Sequence, residues 1–180
     1  MRGQPDNDRD YRHPRVRAER TSKRGSNRSP RLGGSAEANG INPAADWDLL
    51  PSLLEMTEAV DAFTRHCFQL SFISRNSFVT RLQHDYRSVS PFLLLSILSV
   101  SAGVTSSLVE RHGSSTAAAE IFMTHATEMS VRKVYEHPSL ETCQAFYLLG
   151  VAQQRSGWKN SSYVSASLSS TIVDGLPNVW

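Results

Sequence analysis

The stretch SPFLLLSILSVSAGV, Ser90 to Val104, constrains the fold more than any other part of the chain. Wound as a helix it is apolar around most of its circumference, so it has to be central and covered on several sides. Ser90 is the natural N-cap and Pro91 the first helical residue, where a missing N–H costs nothing. The apolar run is too short, and too interrupted by serine, to span a bilayer, which takes ~20 residues. It therefore predicts a core helix, and no membrane partner is expected.

A helix of that kind needs amphipathic neighbours, and the sequence supplies them. In PSLLEMTEAVDAFTRHCFQL the residues Leu53, Met56, Val60, Phe63, Cys67 and Leu70 recur at steps of three and four, one stripe of a helix. Ser52 and Glu55 form a capping-box signature at its start. A short helix is expected over Ser77–Tyr86 with Phe78, Val79 and Leu82 inward, and another over TSSLVERHG, stopped by Gly113. SSTAAAEIFMTHATEMSVRKVYEHP carries a stripe through Ala118, Ile121, Phe122, His125, Met129 and Val134, and His137–Pro138 should end it. Ser139 then caps a further helix with Glu141 in its first turn, where the helix dipole favours a negative charge. Gly157 marks a turn, and a last helix is expected from about Lys159 through Tyr163 and Val164. No period-2 strand pattern of useful length appears. The expected class is all-α, an antiparallel helical array with short connections.

Charge divides the chain. Residues 1–46 hold ten Lys/Arg against six Asp/Glu, and residues 47–180 hold nine against eleven. The first segment is poor in apolar side chains and rich in Arg, Ser, Gly and Asn, a composition that cannot offset the entropy of ordering. It reads as a disordered basic arm, followed by a helical domain over 47–164 and an atypical tail over 165–180, where serines, Gly175 and Pro177 interrupt the pattern. The N-terminus lacks the apolar core of a signal peptide. Cys67 and Cys143 make neither a disulfide framework nor a zinc quartet, which points to a reducing compartment. No cofactor or metal site is expected in this chain.

HPSLETCQAFYLLGVAQQ, His137 to Gln154, is the stretch most like a reactive site. On a helix starting after Ser139, however, Cys143, Tyr147, Gly150, Val151 and Gln154 share one side, with Leu140 at its base and Phe146 and Leu149 flanking it. A free cysteine in such a stripe behaves as a small hydrophobe, and His137 lies beyond Pro138. His66 and Cys67 are adjacent on a helix and point ~100° apart, so they form no dyad; Cys67 belongs to the core and His66 to the surface. Two S-x-x-K matches, Ser130–Lys133 and Ser156–Lys159, lack the companion motifs of serine acyl-enzymes. His84, His112, His125 and His137 fall on separate elements, and no HExxH, Walker or dinucleotide-binding loop is present. No catalytic residue is therefore expected. The arm's cations Arg15, Arg17, Arg20, Lys23 and Arg24 are candidates for a nuclear-import or phosphate-contacting segment, and nucleic-acid contact of that kind would be weak and fall steeply with salt.

Three stretches in order, EAVDAFTRHCFQLSFISRNSF (Glu58–Phe78), SPFLLLSILSVSA (Ser90–Ala102) and PSLETCQAFYLLGVAQQRSGWKNSSYV (Pro138–Val164), resemble the regulatory middle homology domain of fungal-specific transcription factors. In that family an amphipathic helix runs into an F-x-x-x-x-F segment, here Phe72 or Ile73 through Phe78. A buried helix follows, then a helix opened by P-S-L-E-T whose successor packs its aromatic residues back. The resemblance spans roughly Leu50 to Val164. It implies an all-helical, non-enzymatic regulatory domain in the nucleus, acting in RNA polymerase II transcription through effectors, the transcription machinery or a related factor, as a homo- or heterodimer. The family's six-cysteine, two-zinc cluster, which reads DNA, has no counterpart in residues 1–49, which contain no cysteine. The family's zinc and DNA binding are thus not carried onto these residues. The family domain also continues beyond the point where this pattern stops, so a truncated product or an imperfect gene model is expected, with a real short paralogue as the alternative, and truncation would leave an uncovered apolar face that favours dimerisation or aggregation. Two other classes remain beside this one: a helical adaptor or dominant-negative partner of a full-length factor, and a small enzyme using Cys143.

Overall fold

α4 (Pro91–Ser101) is the pivot: every residue from Phe92 to Ser101 is buried. The computed structural model describes residues 43–176 except residue 71, and among them there are helices and turns but no strand. In chain order these are α1 (Pro43–Asp48), α2 (Leu53–His66), α3 (Arg75–Asp85), α4, α5 (Ser106–His112), α6 (Ser115–Lys133), α7 (Leu140–Arg155) and α8 (Lys159–Gly175). The all-α class is as expected. α2, α6 and α7 pack on α4, and Phe92 meets Phe146 of α7 edge to face at 5.0 Å. Each fully buried Phe or Leu of this centre contributes about 1.5–3 kcal/mol over leaving it in water. Two of its three serines satisfy their hydroxyls by bonding to the helix, while the buried Ser96 hydroxyl has no hydrogen-bond partner among the described residues. Ser99 donates to the Ser96 carbonyl at 2.7 Å and Ser101 to that of Ile97 at 2.9 Å. Among the described residues no single helix is long and apolar enough to cross a membrane.

The caps follow the sequence, except that Ser90 takes the N-cap position of α4 without a side-chain cap bond. Ser52 and Glu55 form the full capping box at the start of α2, and Arg111 of α5 reaches Glu55 at 2.9 Å, tying the two helices together. Gly113 ends α5 in the left-handed conformation at φ 79°. α3 begins two residues before the expected Ser77, with Phe78 and Leu82 buried as expected and Val79 half-buried. Within α2's stripe Met56, Val60, Phe63 and Cys67 are buried, but Leu53 is exposed. The helix stops at His66, and Leu70 sits on a separate 3-10 turn, Phe68–Leu70.

Three expectations are corrected. α6 buries Ala118, Phe122, Met123, Ala126 and Met129, while Ile121 and Val134 stay exposed. Two apolar lines lay side by side on that helix, and contact with α4 selected the one through Ala126. α6 also ends at Lys133, before His137 is reached. The exposed Val134 and Tyr135 have no packing to prolong it, and the chain turns through Tyr135 N–H to Arg132 O at 3.1 Å. Finally, α8 runs through Ser165–Thr171 to Gly175, so the serines do not break the helix. Ser165 and Ser169 are instead the small residues that allow it to lie close to α7. Tyr163, the aromatic residue that the resemblance implies should pack back, is exposed, as is Val164.

α1 starts inside the segment assigned to the arm. It is fastened by Asp46 to Arg132 of α6 at 2.7 Å and by Trp47 edge to face with Tyr86 at 5.4 Å. The cations Arg15, Arg17, Arg20, Lys23 and Arg24 lie outside the described residues, as does Pro177.

Candidate interaction surface

α7 and α8 are joined by a tight turn in which Gly157 takes φ 81°, and the helices run antiparallel. Cys143 meets Ser169, Gln153 meets Ser165, and Gly150 lies against Ser162 and Ala166. The pairing explains the polar letters of His137–Gln154. The Cys143 thiol donates to the Ser169 carbonyl at 3.4 Å while the Ser169 hydroxyl donates to the Cys143 carbonyl at 3.0 Å, a reciprocal clamp between two buried residues. The thiol is bonded to Ser169 and the residue keeps only 6% of its surface exposed, the opposite of a reactive thiol's surroundings. His137 is exposed between α6 and α7.

The face assigned to the core on α7 is rotated from the expected one. Thr142, Ala145, Phe146, Leu149, Ala152 and Gln153 are buried, whereas Tyr147 and Gln154 are exposed and Val151 is half-buried. Cys143 and Gly150 are covered by α8 rather than by the central core. Gln153, unremarked in the sequence, is 1% exposed. Its amide donates to Thr127 of α6 at 3.1 Å and its carbonyl accepts from Ser165 of α8 at 2.8 Å, so one side chain joins three helices. Nothing in its local pattern sets it apart from Gln154. The bonding of a buried amide depends on partners 26 and 12 residues away in sequence.

Ser139 caps α7 by accepting from the Thr142 N–H at 3.1 Å. Glu141, placed in the first turn for the dipole, also reaches across: Arg81 of α3 pairs with it at 2.5 Å and the Ser90 N–H donates to it at 3.0 Å. The carboxylate thus fixes α3 and the start of α4 to the start of α7.

Beside this junction the surface is apolar. Leu70, Phe72, Leu140, Cys143, Tyr147 and Val173 line an open groove of about 290 Å³ between the Phe68–Leu70 turn, α7 and α8. Gln69, Gln144 and Ser169 supply its polar edge. Phe72 and Tyr147 stand edge to face at 5.7 Å across it, yet each remains more than 40% exposed, at 43% and 44%. Leu140 is 52% exposed. A second depression continues from Leu140 and Gln144 toward Phe78, Arg81 and Glu141.

The Ser130–Lys133 candidate is occupied structurally. Ser130 donates to the Thr127 carbonyl at 2.7 Å, and Lys133 pairs with Glu136 at 2.7 Å, so that S-x-x-K match is not assembled as a hydroxyl and its base. Ser156 and Lys159 are exposed in and beside the Gly157 turn. Among the described residues no three His, Cys, Asp or Glu side chains are grouped as a metal site.

Compared with known protein families, curated proteins and solved structures, the chain has no match.

Proposed function

We propose that this chain is a regulatory and interaction domain of the fungal-specific transcription factor type, acting in the nucleus on RNA polymerase II transcription by contact rather than by chemistry. The observation that carries the reading is the association of the three stretches behind the resemblance. Glu58–Phe78 supplies most of α2 and the start of α3, Ser90–Ala102 supplies α4, and Pro138–Val164 supplies α7 and the start of α8. Both α2 and α7 pack on α4, so the stretches build one core. Chemistry-bearing side chains are spent on holding helices: Cys143 on Ser169, Gln153 on Ser165, Glu141 on Arg81. That use favours a scaffold over the small-enzyme alternative. The apolar groove around Phe72, Leu140 and Tyr147 is of the kind that marks contact with another protein; the transcription machinery or a related factor is the partner class the resemblance implies.

The helical adaptor is the second reading, favoured by the same groove without the nuclear role. Tethering the chain to a reporter promoter through an unrelated DNA-binding module separates the two. A regulatory domain changes reporter output, and an adaptor with no transcriptional role leaves it at the level of the module alone.

A further inference from the structure

α8 is held unlike the other long helices among the described residues. Its two buried residues are both serines, Ser165 and Ser169, and its largest inward side chains, Leu168 and Ile172, are only partly buried. α4, by contrast, buries Phe92, Leu93, Leu94, Leu95, Ile97 and Leu98 almost completely. The main packing of α8 is on α7. Close approach at Gly150 and the Cys143–Ser169 and Gln153–Ser165 bonds give that pairing its register. Such bonds are exchanged for bonds to water when the helix leaves, so each adds little net stability. A segment with few buried apolar contacts opens at a free energy below that of global unfolding.

We propose that α8 is a latch. It opens as a unit about the turn at Gly157, whose left-handed backbone (φ 81°) already separates it from α7, while α2, α4, α6 and α7 stay folded. Opening bares Cys143, which is 6% exposed at the edge of the groove while α8 is docked, and extends that groove from Tyr147 and Leu140 along the α7 face beneath α8. The inference rests on packing alone and is independent of the transcriptional reading.

Cys143 reports the motion because Ser169 of α8 holds its thiol and leaves the residue only 6% exposed. The experiment is alkylation of the native protein with iodoacetamide over a range of low urea concentrations, read for the Cys143 peptide by mass spectrometry beside equilibrium unfolding of the same sample. The latch gives protection smaller than the global stability and a urea dependence well below the global one. Leu168→Ala should speed Cys143 labelling about tenfold, the equivalent of ~1.4 kcal/mol removed from the interface. Ile97→Val in α4 should lower the unfolding midpoint and leave the Cys143 opening unchanged. Labelling with the free energy and urea slope of global unfolding would overturn the proposal, as would labelling at the rate of an unfolded thiol.

Discussion

At the scale of single residues, the strongest constraints come from neighbours the chain brings close. Gly103 lies in the turn after α4, where an added Cβ would sit 2.9 Å from both the backbone oxygen and the hydroxyl of Ser115. Backbone cannot move aside cheaply, so Gly103→Ala should destabilise the protein by about 1–3 kcal/mol in a denaturant titration. Glu55 offers a pH test. Partial burial pushes its carboxyl up, but hydrogen bonds from the Ser52 hydroxyl and backbone N–H, with Arg111 and His112 nearby, outweigh this and hold it below its ordinary value of 4.5. A carboxyl whose folded value is depressed adds stability that is present above the unfolded value and lost as pH falls through the folded one. Glu55→Gln should therefore lower stability by about 1 kcal/mol near neutrality. In melts taken down the acid limb from pH 4.5, the gap between variant and parent should close.

At the scale of elements, capping was legible because it is local. Ser52, Pro91, Gly113, Ser139 and Gly157 each announce their role within a few residues, and each plays it. Which face a helix buries was less legible wherever two apolar lines ran side by side. On α6 the choice between Ile121 and Ala126, and on α7 between Tyr147 and Phe146, is made by the partner helix and not by the pattern. α8 was misjudged for a related reason. Serine weakens a helix in isolation, but at Ser165 and Ser169 it provides the small contact that α7 requires. The Gln153 link tests this element-level account. Gln153→Leu leaves the buried Ser165 hydroxyl without its acceptor and should cost about 1–3 kcal/mol. Adding Ser165→Ala to that variant should recover most of the loss, a coupling that a double-mutant cycle of urea midpoints measures directly.

At the scale of the molecule, one apolar helix organises the whole. α4 had to be covered, and α2, α6 and α7 cover it. The groove was harder to foresee, since Phe72, Leu140 and Tyr147 all belong to patterns that read as core. They stay partly exposed because the described chain places no further helix over that side of α7. The reading that the chain works by contact depends on that surface, and the most direct measurement is reporter transcription from a promoter to which the chain is tethered. The account predicts output different from that of the DNA-binding module alone, and a return toward that baseline for Phe72→Ser with Tyr147→Ser at equal protein level. Output identical to the module alone, with the tethered chain folded and expressed, would contradict it.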